Sequence, residues 1–218
     1  TGVALTAIGF GALGANTTAN YNSALGYGAL GANTTGTQNV AVGALALDAN
    51  TTASNSTGVG YRSLTGNTTG TQNTALGADS LYTNTTGGTN VAVGFMTLYS
   101  NTTASNNTGL GYQALMLNTT GAANIAVGAY ALDACTTAPN NVAIGFNTLT
   151  NLTASDGMNV CVGNDAGDSI TTGQRNVCVG TNANPSSAVG SRQYVFGHDI
   201  SGKGDQTFFA GGSSGAFN

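Results

Sequence analysis

The sequence predicts an all-β fold, a parallel β-roll (a β-solenoid) built of 17-residue coils, and three observations carry that expectation. Glycine returns every 17 positions at Gly9, Gly26, Gly43, Gly60, Gly77, Gly94, Gly111, Gly128 and Gly145, slips by one residue before Gly163, and resumes its step at Gly180. A fixed period denotes stacked units of chain rather than a globule around one cleft. The triplet ahead of each glycine has a small centre and larger flanks, as in Val40-Ala41-Val42, Thr74-Ala75-Leu76, Val91-Ala92-Val93 and Val177-Cys178-Val179. Such a triplet is a short strand with one bulky and one small face. Four positions after the glycine stands a leucine in nine successive coils, Leu13, Leu30, Leu47, Leu64, Leu81, Leu98, Leu115, Leu132 and Leu149.

Composition supports order. The 34 glycines among 218 residues, with much Asn, Thr, Ala and Ser, resemble a disordered composition, but 40% hydrophobic and 6% charged residues do not. There is no Glu, and residues 1–154 carry only Asp48, Arg62, Asp79 and Asp133 as charges. With a net charge of −4, such a chain has little field to attract nucleic acid or an anionic membrane. No run approaches the roughly 18 apolar residues of a membrane helix, so no membrane insertion of this segment is expected. The chain opens in mid-pattern, as expected of a piece of a longer protein.

With each key glycine as position 0, the coil reads as follows. From Gly26 onward position −4 is Asn at Asn22, Asn39, Asn73, Asn90, Asn107, Asn124, Asn141, Asn159 and Asn176, with Ser56 the exception. Stacked amides can bond along the coil axis. Pleating sends −3 and −1 to one side and −2 to the other, and the leucine row is expected to face the −1 aliphatics across the interior. The glycine turns the corner or permits close backbone approach. Asn-Thr-Thr, from Asn16-Thr17-Thr18 to Asn118-Thr119-Thr120, then makes a second straight section or corner, and small residues return the chain. A 17-residue circuit fits two short strands and two turns but no helix, stacked at roughly 4.8 Å per coil. Thin coils owe their stability to stacking, and a roll this slim invites other copies. A homotrimer is expected, with the small −2 residues near its axis, although the pattern leaves open which face meets that axis. Residues 1–180 form the repetitive roll. Residues 181–218, with Pro185, partial echoes at Val189-Gly190 and Phe196-Gly197, and a Gly/Ser-rich end, are expected to be an irregular cap or connector.

Asn-Val-Ala-Val-Gly at 39–43 and 90–94, Asn-Ile-Ala-Val-Gly at 124–128 and Asn-Val-Ala-Ile-Gly at 141–145 resemble the head repeats of YadA-type trimeric autotransporter adhesins. The longer Leu-x-x-Asn-Thr-Thr form is similar to repeats in phage tail-fibre proteins. The resemblance covers residues 1–180. It implies a left-handed roll, an obligate homotrimer, extracellular display on a cell or virion, and attachment to a host-cell or surface receptor, including carbohydrate, without enzymatic chemistry. A structural filament without recognition of its own is the alternative.

Candidate chemistry is sparse. His198, near Asp199, Lys203 and Asp205, is the only histidine, so neither a catalytic site nor a zinc site is expected. Asp156, Asp165 and Asp168 cluster where the spacing changes but lack a calcium-loop pattern. No cofactor and no metal is expected. Cys161 and Cys178 share one repeat position and Cys135 replaces an Asn. All three read as buried small residues, with a Cys161–Cys178 or inter-chain bond as the other reading. The paired threonines read as hydrogen-bonded ladders rather than glycosylation sites, and one threonine column per strand could face outward, as in ice-binding solenoids. The aromatic row at +1 (Phe10, Tyr27, Tyr61, Phe95, Tyr112, Phe146) reads as packing, or as a carbohydrate-stacking strip if exposed. Positions +2 and +5 vary most between coils and so read as solvent-facing. Arg62, Tyr82, Tyr99, Met116 and Tyr130 among them are the candidate surface-binding residues.

Overall fold

The structure, a computed structural model, describes residues 2–154, 156–212 and 215–216. Of the expected terminal cap, residues 213–214 and 217–218 lie outside the described residues. The chain forms two compact units, Thr1–Asn107 and Thr108–Asn218. Each is a parallel β-solenoid, and among the described residues there is no helix.

The first unit holds β1 (Thr6–Ile8), β2 (Ser23–Leu25), β3 (Val40–Val42), β4 (Thr57–Val59), β5 (Thr74–Leu76) and β6 (Val91–Val93), each the expected −3 to −1 triplet. Neighbours pair in parallel with identical repeat positions level, as in Ala41↔Gly58 and Gly58↔Ala75. The second unit continues the scheme in β7 (Thr108–Leu110), β8 (Ile125–Val127), β9 (Val142–Ile144), β10 (Val160–Val162) and β11 (Val177–Val179). The extra residue before Gly163 is absorbed outside the strands, because Val160 still pairs with Val142. Beyond Gly180 come β12 (Ala183–Asn184), β13 (Tyr194–His198), β14 (Ile200–Ser201), β15 (Phe208–Gly212) and β16 (Gly215–Ala216). Parallel pairing persists through β11–β13 and β13–β15, β12 pairs with β14, and β16 turns back antiparallel on β15.

The expected second strand does not form. The Asn-Thr-Thr segments bend, but their backbone still bonds from coil to coil, as Thr34 N–H to Thr51 O (2.9 Å) and Thr51 N–H to Thr68 O (3.2 Å). Closure of so short a circuit comes instead from left-handed residues. In one turn these are Asn55 (φ 61°), Gly60 (φ 132°), Arg62 (φ 54°) and Leu64 (φ 55°). The conformation costs a non-glycine residue about 1–2 kcal/mol. Each of those three side-chain-bearing residues gives its N–H to an adjacent coil: Asn55 to Thr37 O, Arg62 to Ala44 O and Leu64 to Ser80 O, all at 3.0 Å.

The interior differs from expectation. The leucine row is buried, with Leu30 to Leu149 fully inaccessible, but it faces the −2 residues: Ala41, Ala75, Ala92, Ala126, Ala143, Cys161 and Cys178 are all inaccessible too. The −3 and −1 residues point outward. The reason is volume: a lumen already filled by one leucine per coil admits only Ala, Gly or Cys opposite it. The small −2 residues therefore line the coil interior and are not available to a shared axis.

Two buried Asn columns flank that core. Asn22 Oδ1 accepts Asn39 N–H (2.9 Å) and Asn39 Oδ1 accepts Ser56 N–H (2.9 Å), so the −4 amides form the expected axial ladder. The amides at +7 do likewise: Asn50 Nδ2 donates to Asn33 Oδ1 (2.9 Å) and Asn84 Nδ2 to Asn67 Oδ1 (2.7 Å). Both columns also converge on one carbonyl per coil. Gly36 O accepts from Asn22 (2.8 Å) and Asn33 (3.0 Å), and Gly87 O from Asn73 (2.7 Å) and Asn84 (2.9 Å). Burying amides is favourable only when they are bonded in this way.

The broken leucine row has a local explanation. An added Cβ on Gly167 would lie 2.5 Å from Cys161 Sγ, 3.1 Å from a Leu149 methyl and 3.3 Å from an Ile170 methyl. Cys161 is larger than the usual Ala, and Ile170 stands where other coils carry Asn. Together they fill the space that leucine occupies elsewhere.

Candidate functional site

Three surface features are built by stacking. The first is the outward strand face. Ile8, Leu25, Leu76, Leu110 and Ile144 at −1, with Val40, Val91 and Ile125 at −3, are exposed large apolar side chains, and no charged residue stands at −3 or −1 in β1–β11. Beside it runs the aromatic +1 row, in which Phe10 and Tyr27 stack at 5.8 Å.

The second is a ridge in the first unit. Arg62 makes a paired contact with Asp79, Nε to Oδ1 at 2.8 Å and Nη2 to Oδ2 at 3.1 Å. Its guanidinium lies 4.8 Å from the Tyr61 ring centre and 4.9 Å from that of Tyr82. Tyr82 in turn stacks on Tyr99 at 5.1 Å with planes 9° apart. The Asp79 hydrogen bond, more than any other influence, holds the Arg62 guanidinium in its charged form. The candidates Arg62, Tyr82 and Tyr99 are thus brought together, half-buried, by three successive coils. Tyr61 of the aromatic +1 row joins the ridge, and Asp79, which was not a candidate, completes it; opposite charges one period apart were the available signal. Arg62 comes from the preceding coil and Tyr99 from the following one. A sugar ring could stack on Tyr82 only by displacing one of them. In the second unit Tyr130 packs edge-on against Tyr112 (5.3 Å) and Phe146 (6.0 Å), and Met116 is half-buried.

The third is the threonine edge. The first threonine of each pair spends its hydroxyl on the next coil, as Thr34 Oγ1 to Thr51 O (3.0 Å) and Thr68 Oγ1 to Thr85 O (3.0 Å). The second, Thr35, Thr52, Thr69, Thr86 and Thr103, is exposed and forms a single outward column.

His198, the last residue of β13, contacts the neighbouring Asp199 at 3.0 Å, and both side chains are exposed. Asp168 Oδ1 accepts from Asn184 Nδ2 (2.7 Å), and Asn182 Nδ2 donates to Asp199 Oδ1 (3.0 Å). Among the described residues no group of three or more His, Cys, Asp or Glu could hold a metal ion, and no enclosed pocket is present. No helix among them is long and apolar enough to cross a membrane.

Cys135, Cys161 and Cys178 are buried free thiols, and Cys161 and Cys178 are not bonded to each other. Burial, partly offset by a backbone hydrogen bond at Ala138, pushes Cys135 up to about 11. Burial first, then the neighbouring Cys178 sulfhydryl, raises Cys161 well above the ordinary thiol range. Thiolate is the reactive form. Iodoacetamide at pH 8 is therefore expected to label none of the three in the native protein and all three in denaturant, read by intact mass. Rapid native labelling would contradict the burial.

Comparison with family models, with curated proteins and with solved structures gives no match. The fold itself defines the class, a β-solenoid repeat protein.

Proposed function

We propose that the chain is the shaft or head segment of an extracellular homotrimeric fibre that mediates attachment to a cell or surface. The outward strand face carries this reading. In β1–β6 the −3 and −1 side chains, with Phe10, Tyr27 and Phe95 alongside, expose on the order of 1,000 Å² of uncharged surface. A stable interface needs about 800 Å² from each partner. An uncharged apolar face of that size is otherwise a solubility liability, and further copies of the same chain are its natural cover. Resemblance of the coils to YadA-type heads favours three copies. The trimer axis is then lined by Val, Ile, Leu and Thr, while the ridges around Arg62 and Tyr130 and the threonine edges lie outside. Weak contacts on three chains add by multivalency, which suits a binding fibre with no enclosed pocket among its described residues.

The test is molar mass in solution, expected at three times 21.4 kDa. Val42→Asp together with Val93→Asp is expected to give folded monomers, because three carboxylates per level cannot share an apolar axis. A monomeric wild type would remove the trimer. Thermal hysteresis from that monomer would transfer the assignment to ice binding by the exposed threonine column. A trimer that adheres to no cell or glycan surface would leave a purely structural filament.

A further inference from the structure

The outward columns change character at the end of the second unit. Through β11 they hold only Thr, Ser, Val, Leu and Ile; in β13 they become Tyr194 and Phe196, and in β15 Phe208 and Ala210. Tyr194 is level with Phe208 in the parallel register, and the Phe196 and Phe208 rings lie 5.6 Å apart. Phe208 is 72% exposed and Tyr194 44%. Within the second unit the outward columns thus end in a cluster of rings, with Tyr194 and Phe208 exposed and Phe196 half-buried.

Identical coils cannot by themselves align one copy with another. A slip of one or two coils, roughly 4.8 Å each, again sets aliphatic against aliphatic and forfeits only end contacts. An assembly of repeats therefore needs a place where the sequence is unique and the surface large. Aromatic side chains bury 150–250 Å² each and favour defined ring geometries, whereas a ring forced against a neighbour's valine row would hold the chains apart. We infer that Tyr194, Phe196 and Phe208 form a register lock, meeting their counterparts in the other copies of this chain only when all coils are level. The partner is a second copy because the rings continue, without a charge, the columns already assigned to copies. The inference rests on the trimer reading above.

The lock is tested by inter-chain disulfides. A chain carrying Val127→Cys is refolded with a chain carrying Val162→Cys, positions two coils apart on the outward face, and the mixture is oxidised mildly. The native thiols are buried. Level assembly yields 127–127 and 162–162 links and almost no 127–162 links, read by peptide mass spectrometry. In the Tyr194→Val/Phe196→Val/Phe208→Val background the 127–162 fraction is expected to rise about tenfold while the mass stays trimeric. A trimeric triple variant that still gives only level links overturns the lock but keeps the trimer. A monomeric wild type without any inter-chain link overturns both. Should the triple variant not assemble, Phe208→Val alone is read the same way: a rise in 127–162 links supports the lock, and an unchanged pattern overturns it.

Discussion

Gly43→Ala is expected to destabilise the first unit by at least about 3 kcal/mol, enough to abolish cooperative folding of the surrounding coils. Gly43 has φ 132°, and an added Cβ would sit 2.5 Å from Gly60 O and 2.7 Å from Gly60 C in the next coil. Both objections are to backbone, which cannot swing aside as a side chain would. To admit the methyl group, coil 60 must lift away and break the Gly60 N–H bond to Val42 O (2.8 Å). Every coil stacked on it would move as well. The control is Thr52→Ala on the exposed threonine column, expected to change stability by less than about 0.5 kcal/mol. Chemical denaturation followed by circular dichroism compares the two. Equal midpoints would mean that coil spacing is soft, contrary to the close glycine-on-glycine approach described here.

Leu81 supplies the second large effect, with an unusual ranking. Its side chain is wholly buried and its backbone is left-handed at φ 51°. Leu81→Ala removes the core side chain and is expected to cost about 3–5 kcal/mol. Leu81→Gly removes one more carbon, and in an ordinary core would be worse. Here glycine also relieves a conformation that costs other residues about 1–2 kcal/mol. The glycine variant is therefore expected to be the more stable of the two by about 0.5–1 kcal/mol, despite its floppier unfolded chain. Denaturant midpoints for the pair decide it. A glycine variant clearly weaker than the alanine variant would show that the backbone at +4 is not strained.

Much of this architecture was legible because side chains that stack on copies of themselves repeat in sequence. The triplet strands, the Asn ladders and the corner glycines follow from period and residue type alone. What misled was facing. Bulky aliphatics at −3 and −1 read as core, yet the leucine at +4 already fills the lumen, and only the volumes taken together assign the alanines inward. The left-handed backbone at Leu64, Arg62 and Asn55 was not legible either, because residue type discourages it and circuit length enforces it. Why the leucine row gives way to Gly167 emerges only beside Cys161 and Ile170. Of the candidate surface residues, Arg62, Tyr82 and Tyr99 proved to be neighbours because variable positions one period apart stack. Their mutual contacts, with Asp79 as anchor, required coordinates.

The carbonyl shared by two amides in the coils that carry both makes the structure tolerant of drift. Gly173 O and Gly190 O each hold one donor, from Asn159 (3.0 Å) and Asn176 (2.8 Å), and need no second. In that region the +7 position has passed from Asn118 through Cys135 and Leu152 to Ile170. Losing one amide leaves no stranded oxygen, so an oily residue can enter without penalty at the acceptor. Redundant wiring of this kind lets a repeat array diversify one rung at a time while its neighbours hold the pattern.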